Sequence, residues 1–135
     1  MKNKIFIDTN FFIAFFIRSD GLHNRTLELK KQGLFENELY TSNYVIDEIL
    51  TLLNNKVNPN ASKLGYLFIK DNIIILDECN IPNFRDKIFK TFLKFEGKLS
   101  FTDSSIIEIM KSNNINKIST FDEQFKQVKN MEIIN

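Results

Sequence analysis

Short β-branched and aromatic runs alternate along this chain with longer stretches of helical periodicity, and that alternation narrows the fold more than any other feature. Ile5 to Ile7 is the first run, and Phe11 to Ile17 then reads as a helix apolar almost all round, which must be buried. His23 to Gln32 predicts a second helix with Leu22, Leu27 and Leu29 inward, closed by Gly33. Glu38 to Thr41 predicts a strand, and Ser42 or Asn43 caps a helix carrying Val45, Ile46, Ile49, Leu50 and Leu53. After a loop at 54–58, Asn58-Pro59 opens a helix through Leu64, Leu67 and Phe68. Ile73 to Leu76 is continuously apolar and predicts a strand buried on both faces. Ile81-Pro82 starts a helix to about Glu96 with Phe84, Ile88, Phe92 and Phe95 inward, and Ser100 with Asp103 forms a capping-box variant opening another. Lys117 to Thr120 predicts a strand, Gln124 to Lys129 a short helix and Met131 to Ile134 a last strand.

The order β-α-α-β-α-α-β-α-α-β-α-β predicts an α/β fold, with a mainly parallel central sheet of about five strands flanked by helices on both faces. With 135 residues and no Pro/Gly/Ser-rich linker, the whole span 1–135 reads as one domain. The solitary Cys79 excludes an internal disulfide or a thiolate metal site and fits a reducing compartment. Phe11 to Ile17 is too short to span a bilayer and follows an acid where a signal peptide wants positive charge, so a soluble cytoplasmic protein is expected. A net charge of +1 provides no global basic field, so contact with nucleic acid must come from a local patch.

Parallel sheets place ligands at the carboxyl ends of their strands. Asp8 follows the first strand and Asp122 the fourth; Asp103 stands in a first helical turn, and Asp47 and Glu48 share a helix on which periodicity cannot choose between them. Each acid alone has a local explanation, as a cap or a partner of a helix dipole. His23 reads as a surface or capping group. Gathered on one edge, however, carboxylates repel one another unless a cation intervenes. Oxygen-only ligation suits Mg²⁺ or Mn²⁺, which can activate water for displacement at phosphorus. Lys87, Lys90, Lys94 and Lys98 form a basic stripe that runs toward Asp103 and is a candidate path for a phosphate backbone.

Four motifs in this order resemble the PIN-domain ribonucleases, in particular VapC-type toxins: I-F-I-D-T-N at Ile5 to Asn10, T-S-N-Y-V-I-D-E-I-L at Thr41 to Leu50, L-S-F-T-D at Leu99 to Asp103, and I-S-T-F-D-E-Q-F at Ile118 to Phe125. The resemblance implies that Asp8, Glu48, Asp103 and Asp122 are metal-site acids, choosing Glu48 over Asp47. It implies orientation of acids or waters by Asn10 and a hydroxyl among Thr9, Thr41, Ser42, Ser119 and Thr120. Capping of the first helix then falls to Asn10 and its neighbours. By the same likeness the substrate is RNA, the chain is a homodimer, and an antitoxin segment occupies a groove to which Phe11, Phe12, Phe15, Phe16, Leu67 and Phe68 could contribute. The alternatives are a catalytically silent PIN fold acting as a binding module, or a housekeeping PIN nuclease in RNA processing. An aspartyl-phosphate phosphatase of the haloacid dehalogenase type is disfavoured, because it wants an acid where Asn10 stands.

Overall fold

The computed structural model describes residues 2–135 and contains one five-stranded sheet among them. The strands are β1 (Lys4–Ile7), β2 (Glu38–Ser42), β3 (Ile74–Leu76), β4 (Lys117–Ser119) and β5 (Glu132–Ile134), all parallel, in the order β3-β2-β1-β4-β5. Ile5, Phe6 and Ile7 lie at the centre and are almost wholly excluded from water, which explains an uninterrupted apolar run.

The helices are α1 (Thr9–Phe16), α2 (His23–Lys31), α3 (Asn43–Lys56), α4 (Pro59–Asn72), α5 (Phe84–Lys94) and α6 (Phe101–Ser112). Crossovers from β1 to β2 to β3 advance in one direction and the crossover from β3 to β4 returns in the other. Right-handed connections then put α1 to α4 on one face and α5 with α6 on the opposite face. The strand order reverses between β1 and β4, a switch point of the kind that opens a crevice at the strands' carboxyl ends.

Several expectations change on folding. Ile73 to Leu76 lies at a sheet edge, and Ile74 is 48% exposed; burial on both faces fails because one side has no neighbouring strand. Of the three leucines expected inward on α2, Leu29 is buried while Leu22 and Leu27 are exposed. The helix α3 continues to Lys56, through residues expected in a loop, because α4 packs along it. The expected last helix is a short 3-10 turn, Glu123–Gln127, which buries Phe125. Phe11 and Phe12 are fully buried and cannot line a groove; Phe15, Phe16 and Phe68 are half-buried against one another, with Leu64 and Leu67 exposed beside them. Gly65 is the close-approach point of α4 on α3, where an added Cβ would lie 2.6 Å from Leu53. Among the described residues no helix is long and apolar enough to cross a membrane.

Candidate active site

Four distant segments deliver carboxylates to one cavity of about 500 Å³: Asp8 just past β1, Glu48 from α3, Asp103 from the first turn of α6 and Asp122 after β4. The two strands responsible are neighbours in register, with Ile7 beside Ser119, and the ladder continues as the Asp8 N–H donates to the Ser119 carbonyl at 3.1 Å. Asp47 lines a different cavity with Tyr44 and Glu78, so folding makes the choice between Asp47 and Glu48 that a helical wheel cannot. Asp20, Ser100 and Thr102 also line the acidic cavity, and sequence reasoning did not anticipate them as lining residues. Asp20 sits in the α1–α2 connection, where neither periodicity nor a motif indicates direction; its Oδ1 accepts the Leu22 N–H at 2.9 Å.

The acids are held by local hydrogen bonds. Asp8 is itself the N-cap of α1, accepting the Thr9 N–H at 2.7 Å, and its second oxygen accepts the Thr120 hydroxyl at 2.8 Å. Asn10 is therefore not the cap: its Oδ1 accepts the Phe121 N–H at 3.1 Å and its amide donates to Thr120 at 3.2 Å, tying α1 to the loop that carries Asp122. The Thr9 hydroxyl donates to Glu48 Oε2 at 3.1 Å. The capping box forms as expected, with the Asp103 N–H donating to Ser100 Oγ at 3.0 Å and Asp103 Oδ2 accepting the Ser100 N–H at 3.3 Å. Asp122 Oδ1 accepts the Gln124 N–H at 2.9 Å. Among the described residues, Glu48, Asp103 and Asp122 thus each keep one oxygen with no protein donor.

Of the candidate hydroxyls, Thr9 and Thr120 touch the acids. Ser42 caps α3, and Thr41 donates to the Ile7 carbonyl. Ser119 is buried with no hydrogen-bond partner among the described residues. His23 Nδ1 meets the Ala14 carbonyl at 2.8 Å, a structural tie between α1 and α2. None of Lys87, Lys90, Lys94 and Lys98 lines the acidic cavity; Lys94 borders a separate cleft with Lys111 and Lys129.

Burial pushes the Asp8 carboxyl up to about 7, against the lowering effect of its Thr120 and Thr9 bonds, and the charges of Asp103 and Glu48 add to the rise. Asp103 is also raised, by burial first and by repulsion from Asp122 and Glu48. Such mutual repulsion at an oxygen-only site fits a hard divalent cation. Among the described residues no three of these side chains are drawn together as a ready-made cage.

Residues 5–131 match the family of the PIN domain. No curated protein matches the sequence. Among solved structures, VapC20 from Mycobacterium tuberculosis, described as a sarcin–ricin loop cleaving toxin, is similar at a TM-score of 0.81 and 21% identity, over 93% of this chain and 95% of that one. VapBC2 from Rickettsia felis, bound to a DNA fragment from its promoter, is similar at 0.71 and 15% identity, over 98% of both chains. DNA-bound VapBC from Salmonella typhimurium gives 0.70 and 13%, over 98% of this chain and 97% of that one. At these identities the likeness establishes a shared fold.

Proposed function

We propose that this chain, which belongs to the PIN-domain family, is a divalent-metal-dependent endoribonuclease and the toxin of a toxin–antitoxin pair. The observation that carries the reading is the convergence of four carboxylates from four distant segments on one cavity, three of them with an oxygen free of protein donors. Its fold neighbours support the rest, since one is a toxin that cleaves the sarcin–ricin loop and others are VapBC complexes.

Asp8, Glu48, Asp103 and Asp122 would hold Mg²⁺ or Mn²⁺. A bound ion would supply a water of lowered pKa and positive charge against the phosphate. The protein's own contribution is positioning. Thr120 and the Thr9 N–H fix both oxygens of Asp8, the Thr9 hydroxyl fixes Glu48, and the Ser100 N–H fixes Asp103. Donors held this way need little reordering when the site is used. Attack of water on phosphorus breaks the bond to the 3′ oxygen, leaving a 5′-phosphate and a 3′-hydroxyl. Lys87, Lys90, Lys94 and Lys98 are exposed and would guide the RNA backbone outside the cavity. An antitoxin segment would cover Phe15, Phe16, Phe68, Leu64 and Leu67, burying the apolar surface these leave in the monomer. A homodimer is the expected form.

Cleavage of purified RNA is the decisive assay. The chain should cut with Mg²⁺ or Mn²⁺ and lose that activity with EDTA or with Asp103→Asn. Equal cutting by Asp103→Asn would overturn the reading. RNA binding without cleavage under every divalent ion would instead select a catalytically silent PIN fold acting as a binding module.

A further inference from the structure

The nuclease reading says where a phosphate would be cut and leaves open what holds the neighbouring nucleotides. On α5, Arg85, Phe89, Phe92 and Leu93 recur at i, i+4, i+7 and i+8 and so share one stripe. The stripe continues onto α6: Phe89 lies 6.4 Å from Phe92, Phe92 lies 5.9 Å from Phe101, and the Arg85 guanidinium sits 5.7 Å over the Phe101 ring. Phe101 stands between Ser100 and Thr102, both of which line the acidic cavity. A line of aromatic rings therefore runs from Phe101, flanked in sequence by two residues of the cavity wall, to the outer face of α5, where Phe89 is 51% and Leu93 58% exposed.

A second stripe, Lys87, Lys90 and Lys94, lies farther round the same helix, with Lys90 the member nearest the exposed rings. From Phe84 to Lys98 there are five cations, Arg85 and four lysines, against two acids, Asp86 and Glu96, in a chain whose net charge is only +1. Among the described residues none of the five forms an ion pair. Exposed rings flanked by free cations are the combination that single-stranded nucleic acid uses, with bases on the rings and phosphates on the charges. A second copy of this chain fits less well, because a two-fold contact through the same face would bring these cations toward one another.

We propose that this face of α5 is a stacking shelf for unpaired RNA bases beside the scissile phosphate, with the exposed Phe89 ring as the platform and Arg85 and Lys90 holding the flanking phosphates. The shelf rests on the nuclease reading for its substrate. It takes unpaired bases only, because bases paired within a helix keep their faces stacked on one another.

Fluorescence anisotropy with a short unstructured RNA in EDTA measures binding with cleavage silenced. Wild type should bind the single strand more tightly than the same RNA annealed to its complement. Phe89→Ala should weaken the single strand about tenfold without changing the slope of affinity on salt, and Phe89→Trp should restore it. Lys90→Ala should instead lower the salt slope by about 0.7. The shelf is wrong if Phe89→Ala binds as wild type, if single strand and duplex bind alike, or if wild type binds neither. It is equally wrong if Phe89→Ala merely turns a dimer into a monomer in analytical ultracentrifugation. Because the assay needs no metal, stacking without cleavage would overturn the nuclease reading alone, and cleavage with an inert Phe89 would overturn the shelf alone.

Discussion

The Thr120 hydroxyl donates to Asp8 Oδ2 at 2.8 Å, across 112 positions of sequence, and Thr120 Oγ1 itself accepts the Asp122 N–H at 3.1 Å. One side chain thereby sets the orientation of Asp8 and the course of the backbone that carries Asp122. Thr120→Val keeps the shape and removes the hydroxyl, so RNA cleavage should fall about 10- to 100-fold while stability changes by about 1 kcal/mol. Thr120→Ser should keep most of the activity. Cleavage rates with calorimetric melting separate the two effects.

Asp8 is buried with its carboxyl raised from 3.8 to about 7. A carboxyl with a folded pKa above its unfolded one contributes stability that is complete below about 3.8 and is lost as pH rises to about 7. The gap corresponds to a loss of roughly 4 kcal/mol at most. In EDTA, wild type should therefore lose stability relative to Asp8→Asn between pH 4 and about 7, as read by urea unfolding. Parallel pH profiles for the two proteins would contradict this.

Much of this site is legible in the sequence because it hangs on strand ends. Ile5 to Ile7 is an apolar run with little freedom except to become a buried strand, and Asp8 follows it directly; Lys117 to Ser119, built around the buried Ile118, pairs beside it and leads through Thr120 and Phe121 to Asp122. The capping box places Asp103 by local chemistry alone. Glu48 needed the family resemblance, because a helical wheel defines a face without saying what lies opposite it. Asp20 was not foreseen, since the path of the α1–α2 connection depends on contacts such as His23 with the Ala14 carbonyl rather than on its own pattern. Strand order was equally invisible: Ile73 to Leu76 has the composition of a central strand and becomes an edge.

That edge position carries its own consequence. Ile74→Lys should cost under about 0.5 kcal/mol, because the side chain already meets water, whereas Ile118→Ala at the centre should cost about 2 to 5 kcal/mol. Urea unfolding of both variants checks the contrast.

The contact of α4 with α3 leaves no room at Gly65, since a Cβ there would press on the buried Leu53 side chain, with Phe16 at 3.5 Å behind it. Gly65→Ala should therefore destabilise the domain by about 1 kcal/mol even though alanine is the better helix former. A raised melting temperature in this variant would show that Leu53 can move aside.

Titration calorimetry with Mn²⁺ tests, without any assumption about substrate, whether Asp8, Glu48, Asp103 and Asp122 together hold a divalent ion. Wild type should bind Mn²⁺ with a defined stoichiometry, and Asp8→Asn and Asp103→Asn should each weaken that binding at least tenfold while the proteins stay folded by circular dichroism. Unchanged Mn²⁺ affinity in both variants, or no binding by wild type, would contradict the account.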